Sequence, residues 1–140
     1  MLIRPFEERD TEAVVALWSA CDLTRPWNDP YRDIARKLEV QRELFLVGEE
    51  DGRVIATAMI GYEGHRGWVN YLAVDPALRG GGRGRALMAE AERLLLERGC
   101  PKLSLQVREG NEAALGFYRA LGYQVDAAVS MGKRLIPDTP

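Results

Sequence analysis

From Arg79 to Arg85 the chain reads RGGGRGR, four glycines and three arginines in seven residues. Glycine at that density is entropically costly to order, so something at this point needs nearly bare backbone. The apolar run WVNYLAV (68–74) precedes it. A helical stripe of Leu87, Met88, Ala91, Leu94 and Leu95 follows. The run is therefore a strand-to-helix junction, where the first turn of a helix presents unbonded N–H groups and the positive end of its dipole. Gly80, Gly81, Gly82 and Gly84 let a phosphate approach those N–H groups without Cβ atoms in the way, and Arg79, Arg83 and Arg85 add donors and charge. A phosphate ester or pyrophosphate is the natural guest. A P-loop would close on Gly-Lys-Ser/Thr, and no lysine is present here. A dinucleotide fingerprint would need a third glycine where Leu87 stands, and it would follow a parallel strand rather than an antiparallel meander. What remains is Arg-x-x-Gly-x-Gly, at Arg79, Gly82 and Gly84.

Other reactive residue types are sparse. Cys21 and Cys100 fit no metal spacing, and His65 is the only histidine, so no metal site is expected. Neither cysteine has a base nearby in sequence, which argues against a cysteine nucleophile; both read as reduced and packed.

The elements that position the glycine turn follow from periodicity. LIRPF (2–6) opens as a strand. Asp10 is placed to cap a helix striped by Val14, Leu17, Trp18 and Cys21. DLTRPWNDP (22–30) breaks that helix; Asp29 before Pro30 then reads as a cap and first residue of a second, striped by Tyr31, Ile34 and Leu38. Two β-rich runs flank Asp51-Gly52 as a hairpin, EGHRG (63–67) makes a second turn, and WVNYLAV is the third strand of a meander. The long helix stops at Gly99. KLSLQV (102–107) alternates as a strand, Asn111 caps a helix that Gly122 ends, and YQVDAAVSMGKRL (123–135) reads as a final strand pair. The order β α α β β β α β α β β predicts one α/β (α+β) domain over residues 1–140, with a mixed central sheet of about seven strands and about four helices on its faces. The step from WVNYLAV to KLSLQV is a parallel, right-handed crossover.

Bulk properties are those of one soluble globular domain. The chain has 140 residues, 46% hydrophobic and 29% charged, with a formal net charge of −2. That balance argues against a nucleic-acid partner. The N-terminus turns charged at once, and no apolar run is long enough to span a bilayer; a cytoplasmic protein without membrane attachment is expected.

Two motifs together resemble those of the GNAT (GCN5-related N-acetyltransferase) superfamily. YLAV followed by DPALRGGGRGRALM resembles its acetyl-CoA motif. NEAALGFYRALGY (111–123) resembles its second signature, an asparagine-capped helix carrying Phe-Tyr and ending Leu-Gly-Tyr. The element order matches over nearly the whole chain. CDLTRPWNDP and GYEGHRG further resemble the bacterial YpeA-type acetyltransferases.

The resemblance implies acetyl-CoA as co-substrate and an amine acceptor. It implies that the backbone of Leu72, Ala73 and Val74 pairs with pantetheine as an added strand would. It further implies that the N–H groups from Arg79 to Arg85 hold the pyrophosphate, and that Asn111 reaches the pantetheine arm. Tyr118 would sit beside the thioester sulfur as general acid for the departing thiolate. A homodimer is the assembly that analogy allows, and a non-catalytic acyl-CoA-binding module on the same fold is the rival reading.

The general base is open. Family members often carry glutamate on the strands where this chain has Trp68, Asn70, Ser104 and Gln106. Glu63 acting through water is the candidate, with His65 a second, and an acceptor of low pKa would need neither. For the acceptor pocket, Trp27 either faces substrate or plugs the elbow between the first two helices. Trp68 and Asn70 alternate with Leu72 on one strand face and are expected to line the same pocket.

Overall fold

Asp51 and Gly52 both take positive φ, 50° and 75°, the mirror-image turn that matches the twist of paired strands. In the computed structural model, which describes residues 1–139, they join two strands of a five-stranded sheet. The strands are β1 (Leu2–Pro5), β2 (Phe45–Glu50), β3 (Arg53–Tyr62), β4 (Gly67–Val74) and β5 (Leu103–Leu105), side by side in chain order. β1 to β4 pair antiparallel; β5 joins β4 in parallel, as the predicted crossover requires.

Four α-helices cover the two faces. α1 (Thr11–Ala20) and α2 (Pro30–Leu38) bury Val14, Leu17, Trp18 and Ile34 against Phe45, Val47 and Ala73. α3 (Arg83–Glu97) and α4 (Glu112–Ala120) lie on the other face, where Leu87, Met88, Ala91 and Leu95 meet Leu46, Ala56, Ala58, Ile60 and Val69. The Asp29 carboxylate accepts the Tyr31 N–H at 2.9 Å with Pro30 opening α2, as its sequence predicts.

Asp10 departs from its predicted role. It precedes α1, but its carboxylate does not cap that helix. It instead takes both arms of the Arg4 guanidinium, at 2.8 and 3.0 Å, and the Glu7 N–H at 2.9 Å. Arg4 holds the buried carboxyl below the usual carboxylate range. A depressed folded pKa contributes stability above the unfolded value of about 3.9, and that contribution fades as pH falls through the folded value. The denaturant midpoint of Asp10→Asn is therefore expected to lie well below that of the wild type at pH 7, and the gap to narrow as pH falls below about 3.9.

The predicted last strand pair does not form, so the sheet has five strands rather than seven. β5 spans only Leu103–Leu105, and residues 123–135 form no ladder with it. Residues 124–139 are fastened by polar contacts instead: Asp126 to Lys102 at 2.9 Å, Ser130 to Gln106, and Asp138 to Arg36, Arg134 and the Asp29 N–H. Val125, Val129, Met131 and Leu135 are left exposed.

Candidate active site

Three strand and helix ends converge where β5 leaves β4. The β4–β5 ladder runs only from Gly67↔Leu103 to Val69↔Leu105, whereas β4 continues to Val74. Beyond Val69 one side of β4 is thus without a partner strand. The Asp75 N–H bonds to the Ile55 carbonyl at 2.8 Å. Antiparallel alternation then points the peptide groups of Ala73 towards β3 and those of Leu72 and Val74 towards the unpaired side. The Cys21 thiol reaches this edge and donates to the Val74 carbonyl at 3.3 Å; both cysteines are free thiols.

The glycine turn begins directly after this edge. Asp75 caps a short 3-10 turn, Pro76–Leu78, by accepting the Ala77 N–H. Gly80 and Gly82 then take φ of 86° and 83°, a conformation that L side chains rarely adopt, and Gly82 occupies the position before α3 with no side chain capping the helix. Ala86 is the first residue to bond back, to Gly82. No backbone N–H from Arg79 to Arg85 donates to another group among the described residues. That is a continuous row of unused donors at the positive end of a fifteen-residue helix.

The three arginine side chains of the turn have different roles. Arg83 is committed within the fold: its guanidinium holds Glu50 at 2.6 and 3.0 Å and the Leu78 carbonyl at 2.9 Å. It braces the turn against the end of β2, while its N–H stays in the unused row. Arg79 and Arg85 form no ion pair among the described residues.

Gly84 brings α4 to the turn. A Cβ there would stand 3.1 Å from the Phe117 ring and 3.8 Å from Val74, so the missing side chain lets the end of β4, the start of α3 and α4 close together. Asn111 caps α4 through the Ala114 N–H at 3.1 Å, leaving its amide NH2 available. Tyr118 packs edge-on against Phe117 and Tyr123, with ring centroids 5.0 and 5.9 Å away. Its hydroxyl has no hydrogen-bond partner among the described residues, and burial pushes it up to about 12. The phenol therefore keeps its proton throughout the neutral range.

The predicted acceptor residues separate. Trp68 and Asn70 do not share a face with Leu72. The β3–β4 register shifts between Thr57 and Met59, and Tyr71 takes φ of 51°. This bulge places one extra residue in β4, so the alternation inverts after it. Asn70 pairs with Met59 on the α1–α2 face, whereas Leu72 and Val74 pack on the α3–α4 face. Trp27 is 55% exposed in the α1–α2 connection and does not plug the elbow.

Glu63 is occupied in the EGHRG turn. Its carboxylate accepts the His65 N–H at 2.7 Å, the Arg66 N–H, and Trp68 Nε1–H at 3.3 Å. The Arg66 N–H is the largest cause holding it below the usual carboxylate range, which makes it a poorer proton acceptor. His65 lies in the same exposed turn.

Tyr71, Thr57 and Trp18 are not among the candidate site residues of the sequence, yet Thr57 and Trp18 hold Tyr71 at the bulge. The one signal was Thr57, a lone hydroxyl in the apolar run VIATAMI (54–60).

A profile of the acetyltransferase (GNAT) family matches residues 11–123, which span α1 to the end of the α4 signature. The chain belongs to the GNAT acetyltransferase family. Full-length relatives agree: the chain is 50% identical to Acetyltransferase YE1169 of Yersinia enterocolitica over 138 residues, covering 99% of this chain and 98% of that one. The same figures hold for Acetyltransferase ECA0875 of Pectobacterium atrosepticum. Among solved structures, the fold is similar to Ard1 from Thermoplasma volcanium, with a TM-score of 0.78, 27% identity, and 90% of this chain and 84% of that one covered. It is similar also to a ribosomal-protein-alanine N-acetyltransferase from Brucella melitensis, with a TM-score of 0.71, 31% identity, and 87% and 83% covered. This GNAT domain is thus an acetyltransferase, and its family implies acetyl-CoA as the donor. Among the described residues no helix is long and apolar enough to cross a membrane.

Proposed function

We propose that this GNAT domain transfers acetyl from acetyl-CoA to a primary amine by direct attack. The observation that carries the reading is the row of unused N–H donors from Arg79 to Arg85, continuous with the unpaired edge of β4. The row suits the pyrophosphate, with the Arg79 and Arg85 side chains beside it. The Leu72 and Val74 peptide groups on the edge suit the pantetheine amides, with Ala73 between them bonded inward, and the free amide NH2 of Asn111 suits the same arm. A protein edge that lacks a partner strand is satisfied by an extended amide-bearing chain as it would be by a peptide.

The chemistry needs an uncharged amine nitrogen against the thioester carbonyl. A C–N bond forms, the carbonyl oxygen takes the charge, and a backbone N–H at Leu72 stabilises it. The C–S bond then breaks, the thiolate takes the Tyr118 proton, and the proton that the former amine releases to water restores the Tyr118 hydroxyl for the next turnover. Trp68 and Asn70 on β4 and Trp27 in the α1–α2 connection are the candidate acceptor contacts. The YpeA-type subgroup is the finer assignment within the family, on CDLTRPWNDP and GYEGHRG. The likeness to a ribosomal-protein-alanine N-acetyltransferase makes a peptide with a free N-terminal alanine the first acceptor to test.

Glu63 does not serve as the base in this reading, because its carboxylate is spent on the turn. Glu63→Gln is expected to leave kcat within about threefold, against the hundredfold or more that losing a working base costs. A hundredfold loss in a steady-state assay would restore Glu63 to that role. The reading as a whole is tested by calorimetric titration with acetyl-CoA, with desulfo-CoA and ATP as comparators. Tight acetyl-CoA binding and weak ATP binding are expected; no binding of acetyl-CoA would overturn it.

A further inference from the structure

The extra residue of the β4 bulge is clamped from three directions. Tyr71 holds a φ of 51°, which is unfavourable for a side chain of its size and persists only where the surroundings over-determine it. Its ring lies flat on Trp18, with centroids 3.7 Å apart and planes 11° from parallel. Its hydroxyl donates to Asp33 on α2 at 2.6 Å. Its carbonyl accepts the hydroxyl hydrogen of Thr57 at 2.8 Å. Thr57 and Trp18 are both completely buried. Thr57 Oγ1 also accepts the Trp18 Nε1–H at 2.9 Å, so its single hydrogen is left to point at Tyr71.

The direction of that carbonyl has a consequence across the peptide bond. No peptide bond among the described residues is cis. In a trans peptide the C=O of one residue and the N–H of the next point opposite ways. Thr57 lies on β3, so a Tyr71 carbonyl drawn to it sends the Leu72 N–H away from β3, towards the side that β5 has left.

We propose that Thr57 is a positioning residue: its hydroxyl, oriented by Trp18, sets the Tyr71–Leu72 peptide so that the Leu72 N–H faces the thioester carbonyl and stabilises the oxyanion. The role rests on the acetyl-transfer reading above and adds to it the side chain that aims the donor. Thr57→Val keeps the shape and β-branching but leaves the Tyr71 carbonyl and the Trp18 N–H without their shared partner, which frees the peptide to rotate. Thr57→Ser keeps the hydroxyl.

The test compares the wild type, Thr57→Val and Thr57→Ser. Acetyl transfer from acetyl-CoA to hydroxylamine is followed by thiol release; this nucleophile is neutral at neutral pH and needs no base. Acetyl-CoA affinity is measured separately by titration. Removing an oxyanion donor costs about a hundred- to a thousandfold in rate, and misaiming one costs less. Thr57→Val is therefore expected to lower kcat about ten- to a hundredfold. Acetyl-CoA affinity should stay within about twofold, and Thr57→Ser should recover most of the rate. Amide hydrogen exchange on the wild type supplies a readout that survives a folding failure of the valine variant: the Leu72 amide should exchange freely alone and become protected with acetyl-CoA. A valine variant with wild-type kcat, a serine variant as slow as the valine one, or a Leu72 amide protected without ligand would each overturn the proposal. In those cases a wild type that still binds acetyl-CoA and transfers acetyl leaves the broader reading standing. A wild type that does not bind acetyl-CoA removes both.

Discussion

Gly82→Glu is expected to weaken acetyl-CoA binding about a hundredfold or more. Two costs act at that position. Gly82 holds a φ of 83° immediately before α3, and a left-handed conformation costs an L residue about 1–2 kcal/mol. The new carboxylate also enters the mouth of the unused N–H row, where it competes for the same donors and repels a phosphate. Two like charges about 4 Å apart repel by about 1 kcal/mol in water and about 4 kcal/mol near a protein surface. Each 1.4 kcal/mol is about tenfold in affinity, so the near-surface repulsion of about 4 kcal/mol by itself exceeds two decades, and the strain adds to the loss to the extent that the free turn relaxes away from the binding conformation. Gly82→Ala carries the strain without the charge and should lose markedly less. Gly116→Ala is the control, because a Cβ there meets nothing within 4 Å and the position is helical. Calorimetric titration of the three proteins, with thermal melts to confirm folding, decides the matter. Unchanged affinity in Gly82→Glu would show that the glycine turn does not hold the pyrophosphate.

Tyr118→Phe is expected to lower kcat by about a hundredfold, the lower end of what a positioned general acid supplies, with KM for acetyl-CoA within about twofold. The ring contacts with Phe117 and Tyr123 survive the change. The hydroxyl has no protein partner among the described residues, so its removal strands no donor or acceptor, and thermal stability should hold. The split between kcat and KM separates a proton donor from a packing residue. The pH dependence gives a second check. Burial raises this phenol to about 12, so the acid form is complete through neutral pH and declines only as pH climbs through that value. A wild-type rate that falls with an apparent pKa near 10 or below therefore reports another group. Full activity in Tyr118→Phe would remove the assignment.

The two predictions also mark how the site divides between local and distant causes. The glycine turn, the Asn111 cap and the Phe117-Tyr118 pair were legible because their chemistry is written in contiguous residues. Helix starts, hairpin turns and apolar stripes depend on neighbours within a turn or two, so Asp29-Pro30, Asp51-Gly52 and the α3 stripe form as their spacing indicates. Even the commitment of Glu63 was within reach, since its partners His65, Arg66 and Trp68 lie two to five residues away.

Sequence by itself thus determined the family, the order of elements up to α4, and the place of the glycine turn before α3. Tertiary structure alone decided which face each β4 residue occupies. Residues 68–74 show no interruption as text, and the bulge exists only because β3 and β4 pair out of step between Thr57 and Met59. It also decided that Arg83 braces Glu50, a residue thirty-three positions away, rather than reaching for phosphate. It decided that YQVDAAVSMGKRL, regular in pattern, forms no ladder with β5. The physical reason is common to all three. Local propensity sets what a segment can become, whereas register, ion-pair partners and strand edges are properties of two segments at once, fixed only when the chain brings them together.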